Sequence, residues 1–537
     1  MKIAALGIIA LAAVLTGALL FQGKTAAAGA AQTIRKPAVA GAFYPADPAE
    51  LAKTVDDFLS KAAPPPLHDV VALVAPHAGY EYSGQVAAYS YALLKGRRVD
   101  RVVVIAPSHY EAFGFSSVFD GAAYATPLGE VPVDQAFAAK LATGNKRIRL
   151  SSAGHTPTPD KREHSIEVQL PFLQRTLGQF QLVPIIMGDQ SYENCRALGL
   201  ALAKLVQGTN TLIVASSDLS HYHQYDEAVT MDHKTLKGVE EWDYLDLSRN
   251  LDLRIWEACG GGPIVAAMIA SERLGASQAK LLKYANSGDV TGDKTRVVGY
   301  GAIALVKAAA GAKSSEAAFS LSRQEKETLL KIARSSVETA VRQHKEYECS
   351  PGGSAALAQE RGAFVTLTEN GELRGCIGYV APIKPLYLTV RDVAAHAALH
   401  DSRFRPVSVA ELSELEYEVS VLSPLRRVLD VQEIQTGRHG LLMRQGDREG
   451  LLLPQVASEQ KWGRTTFLEE TCMKAGLPGN CWRSPETDIF RFTALVFNER
   501  WPADAITPAS AFPDRQERTG WPAPPAPYSP VPTGPRF

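Results

Sequence analysis

The fold class of this chain is decided by the stretch VVALVAPH, residues Val70–His77, an apolar β-branched run that ends in Ala-Pro. A second run of the same form, VVVIAPSH, covers Val102–His109. Runs of this length and composition are typical of buried parallel strands. In open α/β sheets, ligands bind at the edge formed by the carboxyl ends of the strands. We therefore expect His77 and His109 to lie at a ligand-binding edge.

Strand-like and helical patterns alternate outward from these runs over residues 34–307, which predicts an α/β layered domain. The predicted strands are Val70–Ala75, Val102–Ala106, Leu182–Met187, Leu212–Ala215 and Val297–Leu305. The predicted helices are Pro48–Ala62, Ser83–Leu94, Glu163–Leu177 and Pro263–Arg273.

A different pattern follows a predicted linker over residues 308–321 and indicates a separate α+β domain over residues 322–500. Asn370-Gly371 joins two strand patterns, which predicts a hairpin because glycine and asparagine tolerate positive φ. The predicted elements are a helix over Gln324–Glu346, strands over Ala363–Thr368, Leu373–Val380 and Leu415–Leu422, and a second hairpin of Gly440–Met443 with Gly450–Leu453. Residues 501–537 are rich in proline and are predicted to form an extended tail.

Residues 1–31 contain an apolar stretch after Lys2 and predict a signal peptide or an N-terminal membrane anchor. We expect an exported protein, periplasmic or anchored on the outer side of a membrane, that contacts the bilayer only through this segment. The 56 basic residues nearly balance the 57 acidic ones, which argues against a dedicated nucleic-acid-binding protein. Cys472 and Cys481 flank a turn-forming stretch, so they form either a disulfide or two buried thiols.

Cys259 is the third candidate ligand beside the two histidines. It precedes Gly260–Pro263 and an apolar helix, so a helix N-terminus is expected to lower the pKa of its thiol. Two imidazoles and one thiolate would form a three-ligand metal site with an open position, as in catalytic metal centres.

Three further polar residues lie in motifs near the expected edge. His164 follows Glu163 at the start of a predicted helix, and Asp218 and His221 follow the strand pattern of Leu212–Ala215. They are candidates for orienting the metal ligands or for exchanging protons. The plainer alternatives are a helix N-cap for Asp218 and a capping-box acid for Glu163.

The motifs of this first region resemble those of the Memo family. They are Pro37–Pro45, Ala75–Tyr80, Ala106–His109, Glu163–Glu167, Ser216–His221 and Cys259–Pro263. The resemblance covers about Arg35 to Val306 and implies the α/β fold of the class III extradiol ring-cleaving dioxygenases. It also implies metal ligands at the positions of His77, His109 and Cys259.

The second region resembles the AMMECR family over about Ser322 to Asn498. The motifs are Arg361–Val365, Leu373–Gly378 and Asp401–Phe404. Together with a radical-SAM protein, the two families form the AmmeMemoRadiSam system, which implies a radical-SAM protein as partner. Cys376 lies in the second motif and is either a structural cysteine or a functional one, with His396 and His400 as candidate bases.

Dioxygenases of this fold hold iron through two histidines and a carboxylate. Cysteine in place of the carboxylate makes ring cleavage doubtful. It also widens the choice of metal to copper or iron, with zinc as a further candidate. The resulting hypothesis is a metal-dependent oxidoreductase acting on an unidentified substrate. The alternatives are a copper- or iron-binding protein without catalysis, a module that recognises a small-molecule or peptide ligand, and a structural envelope protein with a relic site.

Overall fold

The computed structural model describes residues 33–307, 319–484 and 486–499, and the first of these ranges is an α/β domain. Its strands are β1 Ile34–Arg35, β2 Val70–Ala75, β3 Arg101–Pro107, β4 Ser116–Val118, β5 Ala123–Thr126, β6 Gly129–Pro132, β7 Ile148–Leu150, β8 Gln181–Met187, β9 Thr211–Ser216, β10 His221–His223, β11 Ala276–Asn286 and β12 Val297–Lys307. Its helices are α1 Pro48–Lys61, α2 Tyr80–Ala92, α3 Gln135–Ala142, a 3-10 turn at Glu167–Gln169, α4 Leu170–Leu177, α5 Tyr192–Val206, α6 Tyr225–Glu240, α7 Tyr244–Asp252, α8 Gly261–Arg273 and α9 Ser287–Thr291.

A nine-stranded sheet forms the middle layer of this domain. The strand order is β10-β12-β2-β9-β3-β8-β4-β7, with β11 also paired to β12, and neighbours within β2-β9-β3-β8 are parallel. Leu73 faces a core shared with α1, α2 and α4, whereas its neighbour Val74 faces a core shared with α5, α7 and α8. Burial on both faces explains why the central strands are continuous apolar runs.

The predicted fold class and all five predicted strands of this domain are confirmed, with ends that differ by at most two residues. One helix prediction is wrong at its start. Residues 163–166 are not helical, and the 3-10 turn begins only at Glu167. The side chain of Glu163 instead accepts hydrogen bonds from the segment after β3.

The second domain contains two four-stranded antiparallel sheets, ordered β14-β13-β15-β20 and β16-β19-β17-β18. Its strands are β13 Ala363–Glu369, β14 Glu372–Tyr379, β15 Leu415–Leu422, β16 Arg426–Arg427, β17 Gly440–Gln445, β18 Arg448–Leu452, β19 Asp488–Phe492 and β20 Ala494–Asn498. Its helices are α10 Arg323–Gln343, α11 Leu386–Leu399, α12 Pro454–Glu459 and α13 Arg464–Lys474, with 3-10 turns at Glu411–Ser413, Val431–Glu433 and Cys481–Arg483.

Both predicted hairpins of this domain are confirmed. Asn370 and Gly371 have φ values of 51° and 78°, as a tight turn between twisted strands requires. Cys472 and Cys481 form a disulfide with a Cα–Cα distance of 5.8 Å, which decides between the two alternatives left open by their spacing.

None of the helices in the described ranges has the length and apolarity needed to cross a membrane. The predicted N-terminal segment of residues 1–31 and the predicted tail of residues 501–537 lie outside the described residues, as does the linker over residues 308–318.

Candidate metal centre

The carboxyl ends of three neighbouring strands bring the candidate residues together. His77, His109 and Asp218 each stand two residues beyond the end of their strand, after β2, β3 and β9 respectively. Because these strands are parallel neighbours, the three side chains lie at one edge of the sheet.

Two overlapping groups of side chains at this edge could hold a metal ion. One consists of His77, His109 and His164, and the other of His77, Asp218 and Cys259; potential ligand atoms within each group lie within 4.8 Å of one another. His77 is common to both groups, whereas His109 and Cys259 fall in different ones. The structure therefore places the other two predicted ligands, His109 and Cys259, beside His77. It also adds a third imidazole, that of His164.

Cys259 and His77 are in direct contact, with Sγ 3.1 Å from Nε2. The ring centroids of His77 and His109 are 5.1 Å apart, and those of His109 and His164 are stacked at 5.0 Å. His77 is 1% exposed, whereas Cys259 is part-exposed, so only the imidazole side of this contact is fully buried.

The tautomer of His77 follows from the hydrogen bonds of Ser216. Its Oγ donates its single hydrogen to the carbonyl of Ser165 at 2.6 Å and accepts a hydrogen bond from Nε2 of Gln169 at 2.7 Å. The remaining contact, at 2.8 Å from Nδ1 of His77, must therefore be donated by the imidazole. The lone pair of His77 is on Nε2, which faces Cys259.

Glu163 sets the tautomer of His109 in the same way. Its Oε1 lies 3.0 Å from Nδ1 of His109, and its Oε2 accepts the backbone N–H of that residue at 2.6 Å. Nδ1 of His164 and Nδ1 of His221 each lie within hydrogen-bond distance of a backbone carbonyl, which accepts only. In all four imidazoles the hydrogen-bonded nitrogen is Nδ1, and Nε2 of His77, His109 and His164 is the nitrogen available to a metal ion.

Burial and mutual charge lower the pKa of His77 well below its usual value, since desolvation and the neighbouring imidazoles both disfavour the cation. Burial also lowers the pKa of His164. His109 differs, because the hydrogen bond and charge of Glu163 outweigh burial and raise its pKa. The pKa of Glu163 falls to about 2, against the effect of its burial, through its contacts with His109. The lowered pKa values favour the neutral imidazole at His77 and His164, and the lowered pKa of Glu163 favours its ionised form beside His109.

The prediction that Cys259 has a lowered thiol pKa is wrong for the metal-free protein. Burial raises its pKa well above the usual value, and the nearby carboxylate of Asp218 adds to this effect. Hydrogen bonds from backbone N–H groups oppose the shift but do not reverse it. Burial likewise raises the pKa of Asp218 to about 6, although this carboxylate accepts the backbone N–H of His77 at 2.7 Å.

The turn that carries Cys259 is packed tightly against the end of β9. A Cβ on Gly260 would stand 2.7 Å from Cβ of Ser217 and would collide with the carbonyl of Ser216. The side-chain amide of Gln190 bridges the turn, donating to the carbonyl of Cys259 at 2.9 Å and accepting from the N–H of Gly262 at 2.7 Å. These contacts fix the position of the thiol before α8 begins.

A cavity of about 420 Å³ opens beside this thiol, and we call it the Cys259 groove. Its lining includes Gln190, His221, Trp256, Glu257 and Cys259. His221 belongs to neither metal-binding group, so the structure places this predicted proton-exchange residue on the groove wall. The groove gives a ligand a path to the thiol side of the centre.

Sequence reasoning missed three residues that organise the site. Gln190 lies in no motif, Ser216 was quoted only as the first residue of a motif without a role, and Glu163 was interpreted as a helix-opening acid or a cap. The feature that marks these residues is the hydrogen bond between an imidazole Nδ1 and its acceptor. For His77 and His109 this hydrogen bond joins segments far apart in sequence, so it is visible only in the folded structure. The predicted cap role of Asp218 is also wrong, because its carboxylate accepts from His77, 141 residues away.

Cys376 of the second domain has a different environment. Its thiol accepts a hydrogen bond from Thr366 at 3.3 Å, and its backbone N–H donates to Asp401 at 2.8 Å. Burial raises its thiol pKa. The candidate base His396 contacts Tyr379 instead. These contacts describe a cysteine held within the sheet.

Family comparisons identify two families in this chain, one for each domain. A family model for the Memo-like protein matches residues 35–304, and the AMMECR1 model matches residues 330–497. The chain belongs to the Memo-like family and carries an AMMECR1 domain in the same polypeptide.

The relatives described next match between about a third and a half of this chain. A MEMO1 family protein of Nitrosopumilus maritimus (strain SCM1) is 37% identical over 279 residues, which is 51% of this chain and 100% of that protein. A MEMO1 family protein of Methanosarcina mazei is 40% identical over 279 residues, 50% of this chain and 98% of that protein. A solved structure, the crystal structure of the uncharacterized protein PH0010 from Pyrococcus horikoshii, is 38% identical in sequence to the part of this chain that it matches. The match covers 34% of this chain and 95% of the PH0010 chain, with a TM-score of 0.33.

Proposed function

We propose that the Memo-like domain binds one transition metal ion through His77, His109 and Cys259 and serves as a metal-dependent oxidoreductase for a small-molecule substrate. The observation that carries this proposal is the 3.1 Å approach of the Cys259 sulfur to the free nitrogen of His77. Placing a sulfur and a nitrogen ligand atom next to each other in a largely buried site costs free energy unless the two atoms share a proton or a metal ion.

The donor set favours copper or iron, with zinc as the third choice. Imidazole nitrogens suit all three metals, and a thiolate adds a soft, electron-rich donor that oxygen-preferring ions such as magnesium do not select. Such a metal would supply redox chemistry or Lewis-acid polarisation of the substrate.

The protein side chains have separate tasks in this proposal. Glu163 and Ser216 hold the rings of His109 and His77 in the Nδ1–H form, which leaves Nε2 for the metal. Asp218, with a pKa raised to about 6 by burial, would exchange a proton near neutral pH. His221 would contact the bound substrate from the wall of the Cys259 groove.

Metal content in the purified protein tests this function. Protein prepared without added metal should contain close to one equivalent of copper, iron or zinc, and Cys259→Ser should lose most of it. Cys349→Ser is the matched control, since Cys349 lies in the second domain, away from the centre. Full metal content in Cys259→Ser would rule out the proposed ligand set. If a metal is present, oxidation or reduction of the loaded protein by small redox partners identifies the chemistry.

A second candidate function, metal binding without catalysis, is favoured by His164. This residue lies in one group with His77 and His109, so three imidazoles and the thiolate would complete a closed set of four ligands. Azide added to the metal-loaded protein distinguishes the two functions. Spectral changes in the wild type favour an open, catalytic position, whereas changes that appear only in His164→Ala favour a closed site.

Export and partnership are further parts of this proposal. The apolar segment within residues 1–31 and the Cys472–Cys481 disulfide both support an oxidising compartment outside the cytoplasm. A radical-SAM protein of the same system is the proposed partner. Fractionation of cells and co-purification with that protein test the two statements separately.

A further inference from the structure

A buried ionic cluster joins the two domains on the side of the Memo-like domain that carries Cys259. Asp488 of β19 accepts hydrogen bonds from the hydroxyl of Tyr192 at 2.9 Å and from Nε of Arg196 at 2.7 Å, both in α5. Its other oxygen pairs with Arg427 of β16 at 2.6 Å. The side chains of Asp488 and Arg427 are at most 4% exposed, so the cluster excludes water.

Apolar side chains surround this cluster and continue the core of the first domain. Leu425, Phe490 and Phe492 belong to the same hydrophobic cluster as the inner faces of α5, α7 and α8. The ring of Phe490 lies edge-on to that of Tyr244 in α7, with centroids 6.2 Å apart. The second domain is therefore packed on the helical layer itself.

Helix α7 contacts the second domain at both of its ends. At its start, Asp243 accepts the N–H of Asp246 as the helix cap and the N–H of Leu425 from the other domain at 3.2 Å. Near its end, Arg249 pairs with Glu449 of β18. One buried carboxylate thus serves both as the helix cap and as an interdomain contact.

The same helices border the Cys259 groove. Helix α5 begins just after Gln190, whose amide bridges the Cys259 turn. Ser248 and Leu251 of α7 line the groove, as do Trp256 and Glu257 in the segment that follows this helix. The elements held by the second domain are therefore the walls of the groove.

We propose that docking of the AMMECR1 domain holds α7 and residues 253–258 in place, and so controls access to the Cys259 thiol. A helix of nine residues is not stable alone in water and depends on its packing. When the second domain moves away, the Asp243 carboxylate loses a buried partner and Tyr244 loses its aromatic neighbour. The groove wall then loosens, and the thiol, which is part-exposed while the domains are docked, becomes more accessible.

Alkylation of Cys259 in the metal-free, full-length protein tests this control. Iodoacetamide is the probe, and mass spectrometry follows each cysteine separately. In a variant combining Asp488→Asn with Phe490→Ala, we expect Cys259 to react about tenfold faster than in the wild type, because local opening of the groove wall uncovers the part-buried thiol further. Cys349 provides an internal reference, and its rate should not change. This measurement does not depend on metal binding, so it can fail while the proposed function stands.

Two single variants complete the design. Glu449→Gln removes only the half-exposed ion pair with Arg249, so the fold is retained, and Cys259 alkylation should rise about twofold. Glu499→Gln removes a similar ion pair with Arg334 within the second domain and should leave the rate unchanged. An unchanged Cys259 rate in Glu449→Gln and in the double variant overturns the proposal. Equal acceleration of Cys259 and Cys349 also overturns it, since that result indicates general loosening.

Discussion

The sulfur of Cys259 lies 3.1 Å from Nε2 of His77. This nitrogen carries no hydrogen, because the hydrogen of the imidazole is on Nδ1, which donates it to Ser216. In the metal-free protein this geometry allows the thiol to donate a hydrogen bond to the imidazole. A metal ion bound to both atoms, as we propose, would take the place of that hydrogen, so metal uptake would deprotonate the thiol. The high thiol pKa therefore describes the metal-free centre and does not disqualify Cys259 as a ligand.

Glu163→Gln should weaken metal binding about 10- to 100-fold, because a neutral amide holds the Nδ1–H of His109 less firmly than a carboxylate does. Competition with a chelator of known affinity measures the effect. Glu111→Gln is the control, since the part-buried Glu111 carboxylate contacts Lys161 and the N–H of Gly154 rather than an imidazole. Equal affinities in Glu163→Gln and the wild type would show that His109 needs no ionised anchor.

Gly260→Ala should displace the Cys259 turn, because its Cβ meets the backbone of Ser216 and Ser217. We expect a loss of about 1–3 kcal/mol in the free energy of unfolding of the first domain, and weaker metal binding. Thermal unfolding and metal titration measure the two effects. Gly463→Ala, where a Cβ enters open space, should change neither. Normal metal binding by Gly260→Ala would mean that the turn is not what positions the thiol.

Reduction of the Cys472–Cys481 disulfide should destabilise the second domain. The bridge spans nine positions in sequence, and closing a loop of that size contributes about 2–3 kcal/mol. We expect a lower Tm for the wild type in dithiothreitol than without it. A variant with both cysteines changed to alanine should show no response to the reductant. A wild-type Tm that ignores the reductant would contradict the expectation.

Glu418→Gln should remove a pH dependence from the stability of the second domain. Burial, assisted by the charge of Glu459, raises the pKa of Glu418 to about 7. The native state then binds a proton more tightly than the unfolded state, so the free energy of unfolding falls as the pH rises from about 4.5 to about 7. The loss is at most about 3 kcal/mol and stays constant at higher pH.

Tm values at pH 5 and pH 8 measure this dependence. The wild type should lose more stability than Glu418→Gln between the two values, and the variant should be the more stable protein at pH 8. Glu499→Gln, at an exposed position, should keep the wild-type slope. Parallel slopes in the wild type and in Glu418→Gln would assign the dependence to other groups.

The strands and the sheet edge were predictable because their cause is local in sequence. Val70–Ala75 is apolar throughout since both of its faces are buried, and the Asn370-Gly371 turn requires residues that adopt positive φ. The positions of His77 and His109 then follow from the ends of their strands. Each of these inferences uses only neighbouring residues.

The electrostatics of the site were not predictable in this way. The helix N-terminus suggested a thiolate at Cys259, but burial has the larger effect on its pKa, and burial depends on the whole fold. Glu163 and His109 are 54 residues apart, so their hydrogen bond leaves no local pattern. The groove wall at residues 253–258 has no helical or strand periodicity and was missed for the same reason.

The core shared by the two domains also bears on how such a protein evolves. In the present chain, Tyr244 and Phe490 pack against one another although they lie 246 positions apart in sequence. A change on one side of this contact alters the packing of the other side, because both residues belong to one hydrophobic cluster. Exchanging either half for the matching half of another protein would therefore place new side chains in this shared core.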